Sequence, residues 1–259
     1  MVKVDNLGFS VGKKWLLKNL SYEFHPGKIH LICGPNGAGK STLMKLLSLE
    51  MPPSEGTVLY NGVNTNQKNK HAYAMYRGIL SQQVDITFPL SANEVIMMGR
   101  YPHFKIAPSK RDLEICDEVI FTLRLQSFRE RNFLTLSGGE KQRVQFARVI
   151  TQIWEHRDVG NRILLLDEPI SALDLRYQFE FLDHLKKFLD DRTIVIAILH
   201  DLNLILNYGD EVLLLNEGLL VDSGKPENVL KKENIKDVFH VDTSVYPINN
   251  HKFLWVNHK

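Results

Sequence analysis

The sequence predicts an α/β fold: a sheet buried on both faces, a small antiparallel β layer and an inserted helical subdomain. Three observations predict it. A strand, a glycine loop and a helix follow one another across residues 29–47. Residues 163–166 and 194–199 are uninterrupted apolar runs, as strands of a parallel sheet covered on both faces are. Short alternating strands precede the loop, and from residue 88 to 154 the pattern turns helical.

Composition sets the bounds. The chain has 259 residues, 44% hydrophobic and 24% charged, which suits one globular unit with ample core. A net charge of +2 gives no strong nucleic-acid footprint, so no nucleic-acid partner is expected. Cys33 and Cys116 lie far apart without metal spacing and read as buried thiols of a reducing compartment. The first residues carry no apolar signal region. No apolar run approaches the roughly 18 residues of a membrane helix, so any membrane link is expected through a partner.

The elements follow in order. Residues 2–4 open a strand and residues 7–11 alternate. Gly12-Lys13 turns the chain, residues 15–17 return, and residues 21–24 read as a further strand closed by Pro26-Gly27. Phe9 and Trp15 are the aromatics here that could stack on a nucleotide base, with core packing an equal reading for each. Next comes Gly34-Pro35-Asn36-Gly37-Ala38-Gly39-Lys40-Ser41-Thr42, which matches G-x-x-x-x-G-K-[ST]. Its glycines let successive N–H groups turn inward toward phosphate oxygens, and the following helix adds its positive end. Lys40 suits the β- and γ-phosphates and the Ser41 hydroxyl suits Mg²⁺. The loop alone says that the chain binds a nucleoside triphosphate.

Pro52-Pro53 then breaks the chain, and residues 57–60 give a strand. Residues 68–76 permit a helix, and residues 78–81 read as a buried strand ending at Gln82. Gln82 could hydrogen-bond Mg²⁺ or an attacking water. Ser91 and Glu94 form a capping box, Ser109 starts a second helix reaching Leu123, and Ser137-Gly138-Gly139-Glu140 repeats the box before a helix to about Trp154. This glycine-rich start reads either as an ordinary helix cap or as a second anion site. Residues 163–166 deliver Asp167 and Glu168 to the C-terminal end of a strand, where α/β sheets place ligands. Asp167 suits Mg²⁺ coordination through water, and Glu168 suits the general base on a water attacking the γ-phosphate.

Residues 171–174 make a tight turn and residues 175–189 an amphipathic helix. The next apolar strand ends in His200-Asp201, on the same edge as Glu168, which puts His200 within reach of a γ-phosphate. Residues 211–215 and 218–221 pair across Asn216-Glu217, Pro226 opens a short helix, and the polar remainder reads as peripheral.

The motifs GPNGAGKST, a glutamine after the next core strand, LSGGE, ILLLDEP, SALD and a strand-end HD occur in that order. Together they resemble the ATP-binding cassette (ABC) ATPases of membrane transporters, over nearly the whole chain. The resemblance implies a P-loop NTPase (RecA-like) core from residues 1–86 and 160–259, with a helical signature subdomain at 87–159. It implies ATP hydrolysis with Mg²⁺ by a homodimer of cassettes facing head to tail. ATP would lie between one subunit's phosphate loop and the other's LSGGE, so that Ser137, Gly138 and Gly139 meet the nucleotide in trans. Residues 171–174, ending at Asp174, would link the two sites. Glu168 would be the base, His200 the γ-phosphate contact, and Gln82 the sensor; Ser41, Gln82 and Asp167 would serve the metal. The implied partners are integral membrane permease subunits and, indirectly, a periplasmic or surface substrate-binding protein. That places the chain on the cytoplasmic face of the inner (cell) membrane. Glu140 departs from the pattern, since glutamine is common there; a carboxylate beside phosphate repels it unless it turns back to cap the backbone.

Finer features point within the family. Phe88-Pro89-Leu90 and the run from Glu94 to His103 resemble the cassettes that import iron chelates, haem and cobalamin. Thr151-Gln152-Ile153-Trp154 and a short insert before Arg162 resemble the haem (hemin) importer subgroup. A groove after Gln82, lined by Phe88, Leu90 and Met98, is expected to dock the permease. A soluble cassette acting on ribosomes or DNA competes less well, because one cassette is present and residues 88–154 are too few for a long coiled coil. Glu168 and His200 argue against a module that binds without hydrolysing.

Overall fold

A computed structural model describes residues 1–65, 70–81, 86–155, 160–248 and 251–257. The N-terminal strands β1 (Val2–Val11) and β2 (Lys14–Phe24) pair with β4 (Glu55–Tyr60) and β5 (Val63–Asn64) in an antiparallel sheet of order β2-β1-β4-β5. The two strands expected over residues 15–17 and 21–24 are one. Register shifts along β1 and β2 absorb the break in alternation, with Asn6 (φ 46°) and Asn19 (φ 52°) in the left-handed region, so pairing continues through bulges.

The main sheet holds β3 (Lys28–Cys33), β6 (Arg77–Leu80), β7 (Arg162–Asp167), β8 (Thr193–Ile198), β9 (Glu211–Asn216) and β10 (Leu219–Gly224). Its order is β10-β9-β3-β8-β7-β6, parallel except for β10. Residues alternate between two separate cores along each strand. Leu31, Leu164, Leu166 and Val195 face one, and Ile32, Ile163, Leu165 and Ile196 face the other. Both faces being covered is why these strands read as unbroken apolar runs. On one face lie α1 (Lys40–Leu47) and the antiparallel sheet. The other face carries α3 (Ala92–Met97), α4 (Lys110–Thr122), α5 (Gly138–Gln152), α6 (Leu175–Phe188) and α7 (Leu202–Tyr208). A short α2 (Lys70–Ala74) precedes β6, which is an edge strand rather than an interior one.

The capping boxes expected at Ser91 and Ser137 are present, and Ser109, expected as a helix start, forms a further one with Asp112. The run after α3 is structural. The Arg100 guanidinium is 2% exposed and donates to Asp112 Oδ1 (2.9 Å) and the Thr151 carbonyl (2.8 Å), tying the 3-10 turn Met98–His103 that follows α3 to α4 and α5. Trp154 donates its indole N–H to Glu118 Oε2 (2.7 Å), closing α5 onto α4.

Two expectations are corrected. The β9–β10 turn is Glu217-Gly218, one residue later, because those two residues take the positive φ values (48° and 78°) that a tight hairpin needs. The C-terminal remainder is not merely peripheral. After α8 (Pro226–Val229) and α9 (Lys232–Phe239), a hairpin of β11 (Asp242–Ile248) and β12 (His251–Asn257) docks on α7. Leu254 enters the main core, and Asn203 exchanges two hydrogen bonds with its backbone. Among the described residues no helix is long and apolar enough to cross a membrane.

Candidate functional site

The C-terminal ends of β3, β7 and β8 lie side by side, and each releases a motif there. From β3 the chain enters the glycine loop and then α1. Two glycines are fixed by close approach. At Gly34 (φ 146°) a Cβ would strike the Leu215 carbonyl, and at Gly39 (φ 100°) it would come within 2.7 Å of the Leu16 carbonyl. The β9–β10 turn props the loop, with Gly218 N–H donating to the Ala38 carbonyl (3.1 Å) while the Gly218 carbonyl accepts from Lys18 N–H (2.9 Å). Lys40 is buried and folds back over the loop, donating to the carbonyls of Gly34 (2.8 Å) and Pro35 (2.9 Å). Burial lowers its pKa, opposed by the nearby Glu168 and Asp167 carboxylates. Cys33, beneath the loop, is a buried thiol pushed up to about 12 by desolvation, an inert core residue.

Two cavities meet at Ser41. One, of about 230 Å³, is lined by Asn36, Gly37, Gly39, Lys40, Thr42 and Glu168, with Leu16 as its apolar wall. The second, of about 290 Å³, is lined by Lys45, Glu50, Ser81 and Asp167 among others. Neither Phe9 nor Trp15 lines either cavity; Phe9 packs on the second core and Trp15 lies against Gly8. Leu16, next to Trp15 on the same strand, is the residue that faces the loop.

Asp167 and Glu168 emerge from β7 with different surroundings. Among the described residues Asp167 Oδ1 is buried without a hydrogen-bond partner, and burial, then the neighbouring Glu168, raises its pKa. An orphaned carboxylate oxygen beside the Ser41 hydroxyl fits an Mg²⁺ ion, whose oxygen ligands are of this type. Glu168 takes φ 50°, unusual for a side-chain-bearing residue, and turns its carboxylate to His200, with Nε2 2.7 Å from Oε1. Its carbonyl accepts from the Ser171 hydroxyl (3.0 Å). The first observed partner of His200 is thus Glu168 itself.

Ser137, Gly138, Gly139 and Asp174 line neither cavity. Ser137 heads α5 at the surface, and Gly139 abuts residues 172–173 of the tight turn. Asp174 caps α6 by accepting from Tyr177 N–H (3.1 Å). Glu140 turns back as expected, accepting from Ser137 N–H (2.8 Å), and also pairs with Arg131 (2.8 Å). Those contacts hold its carboxyl below the usual range. Gln82 lies outside the described residues. Sequence reasoning missed Arg131 and Gln142. Gln142 donates its amide N–H to the Pro169 carbonyl (3.0 Å), joining α5 to the segment that carries Glu168.

A parallel sheet whose central strand feeds a glycine loop and helix, with carboxylates released from the neighbouring strand, defines a P-loop NTPase. Comparison with known proteins narrows this. Residues 17–171 match the family described as ABC transporter. The chain is 40% identical to the hemin import ATP-binding protein HmuV of Gloeobacter violaceus, covering 95% of this chain and 89% of that protein. It is 37% identical to the protein of the same name from Hahella chejuensis, covering 91% of each. Among solved structures, a metal-chelate type ABC transporter in an inward-facing conformation superposes with a TM-score of 0.82 at 27% identity, over 99% of this chain and 96% of that one. A dimeric ATP-binding cassette in a post-hydrolysis state, bound to ADP and Pi, gives 0.74 at 26% identity, over 87% and 99%. The chain belongs to the ABC transporter family.

Proposed function

We propose that this protein is the ATP-hydrolysing subunit that energises import of haem (hemin) through a membrane permease. The observation that carries the cargo is the likeness to hemin import proteins at 37–40% identity over more than nine-tenths of the chain. The metal-chelate transporter among the structural relatives supports a ferric siderophore or cobalamin as the second reading.

In this reading Lys40 leaves the loop carbonyls to meet the β- and γ-phosphates of ATP, and the loop N–H groups and α1 hold the rest. Ser41 and Asp167, with Gln82, would hold Mg²⁺, which supplies charge neutralisation at the phosphates. Glu168 accepts a proton from the attacking water as the water oxygen bonds to the γ-phosphorus and the bond to ADP breaks. His200 orients that carboxylate and then contacts the γ-phosphate. Ser137, Gly138 and Gly139 meet the nucleotide of a second copy, and the turn ending at Asp174 links the two sites. Their distance from the cavities of their own chain supports that arrangement. The dimeric cassette among the relatives supports a homodimer.

The remaining assignments belong to the same reading. Residues 87–159 act as the signature-bearing unit on a core formed by 1–86 and 160–259. The permease docks near Phe88, which is 65% exposed, beside the half-buried Leu90 and Met98. Gln82 relays its state. A periplasmic or surface substrate-binding protein delivers cargo, and the subunit sits on the cytoplasmic face of the membrane.

Uptake tests the function. Deleting the gene in its host is expected to abolish import of labelled haem, with rescue by the intact protein but not by Lys40→Ala. Loss of siderophore or cobalamin uptake instead would discard haem and keep the ATPase.

A further inference from the structure

The residues that set this chain within the haem subgroup wall a cavity of their own. Trp154 and Arg162, on either side of the short insert, line a space of about 250 Å³ between α4, α5 and α6. Leu123, Phe146, Ile150 and Phe188 supply the rest of its apolar wall. None of its lining residues lines the two cavities that meet at Ser41. The Trp154 and Phe188 rings lie near parallel, with planes 24° apart and centroids at 6.1 Å, and parallel rings offer flat area to a flat ligand. Arg162 fixes them. Its guanidinium lies 4.6 Å from the Phe188 centroid and donates to the Trp154 carbonyl (2.8 Å) and to Asp190 Oδ2 (2.8 Å).

One imidazole stands in this wall. His184 of α6 lines the cavity and also a smaller one shared with Arg143, Tyr177 and Phe181. Among the described residues neither of its ring nitrogens has a hydrogen-bond partner. Burial, then the Lys187 and Arg124 cations, lowers its pKa, with Glu180 opposing. The ring is therefore neutral near pH 7, the form that ligates a metal. The rim is cationic. Lys187 is exposed and, among the described residues, pairs with no carboxylate. The acids nearby are taken, Asp190 by Arg162 and Glu180 by Arg176 (3.1 Å).

A flat aromatic wall, a neutral imidazole and a cationic rim complement one kind of ligand: a planar apolar macrocycle with a metal at its centre and carboxylates at its edge. We propose that this cavity is a binding site for haem, with His184 as axial ligand of the iron and Lys187 beside the propionates. This rests on the reading above that haem is the cargo. The lone pair of an imidazole nitrogen replaces a water on the ferric iron, and no electron is transferred. The cavity opens to solvent, so it holds part of the macrocycle and leaves the rest along the rim. Its place between α5 and α6, away from the phosphate loop, makes it an effector site rather than a part of the ATP machinery.

Titration of hemin into the full chain, followed by visible absorption, tests it. The parent is expected to bind at a single saturable site with the shifted Soret band of histidine-ligated ferric haem. His184→Ala should abolish that shift and weaken binding by roughly tenfold or more, because the iron loses its protein ligand. Lys187→Ala should weaken binding by about two- to fivefold, the worth of an exposed ion pair, and keep the band. Iron-free protoporphyrin should bind the parent and His184→Ala alike. Hemin bound by His184→Ala with unchanged band and affinity overturns the proposal, as adventitious association with apolar surface. So does the lack of saturable binding by the parent. Should His184→Ala not fold, His184→Gln gives the same comparison. Uptake separates the layers: haem import without a His184-dependent band sinks this site alone, whereas import of another cargo sinks the haem reading, and the titration still decides whether the site takes hemin.

Discussion

His200 Nε2 stands 2.7 Å from Glu168 Oε1, across the adjacent ends of β8 and β7. With the proton on Nε2 the imidazole donates to the carboxylate and fixes its rotamer. Glu168→Gln should keep ATP binding and lower turnover by roughly 10²- to 10⁴-fold, the usual worth of a general base. Because the two residues act as a unit, His200→Ala in the Glu168→Gln background should cost little more. Nucleotide titration together with single-turnover hydrolysis checks both; near-parental turnover in Glu168→Gln would remove the base from this position.

Gln142 acts from the side. Its amide is the link between α5 and the Pro169 carbonyl, next to the left-handed Glu168. Gln142→Ala should lower kcat by about fivefold, the equivalent of one ordinary hydrogen bond, with KM unchanged. A change in KM alone would place Gln142 in binding rather than in the setting of Glu168.

Arg100 carries stability. It is buried with Asp112 in a cluster that joins three helices. Arg100→Ala leaves a buried carboxylate without its cation and should cost about 3–5 kcal/mol. Replacing both partners, as in Arg100→Met with Asp112→Asn, should recover much of that. Urea midpoints at unchanged slope measure it; an Arg100→Ala loss below about 1 kcal/mol would mean that the pair is solvated in practice.

His30 sets an acid limit. It is fully buried on β3, accepts from His25 N–H at Nε2 (3.0 Å), and burial pushes its pKa down to about 4. In the unfolded chain it titrates near 6.5, so above that pH both states are neutral and the full stability is present. As pH falls from 6.5 toward 4 only the unfolded state takes up the proton, and stability drops by roughly 3 kcal/mol. His30→Gln should flatten that part of the stability profile in chemical denaturation across this range.

What the sequence disclosed follows from locality. The phosphate loop, the capping boxes at Ser91 and Ser137 and the carboxylates ending β7 are each defined by residues a few positions apart, so their spacing carries the geometry. The two faces of the sheet were legible because period-two alternation is absent when both are buried. Arg131 and Gln142 were not legible, because their partners Glu140 and Pro169 are brought to them by packing of α5 rather than by spacing. Bulges in β1 and β2 shift which side chains face the loop, and Leu16 does, not Trp15. The C-terminal hairpin looked peripheral because its ties to the core, Leu254 and the asparagines Asn203 and Asn207 of α7 among them, come from packing and leave no local pattern in the sequence.

The turn at Gly218 reaches across from the far edge of the sheet to clasp the phosphate loop, with Lys18 of the antiparallel sheet on its other side. Three separate layers of the fold therefore meet at one glycine. The loop inherits the rigidity of the whole molecule instead of acquiring shape from its ligand. Nucleotide entry then costs little conformational entropy in the loop itself.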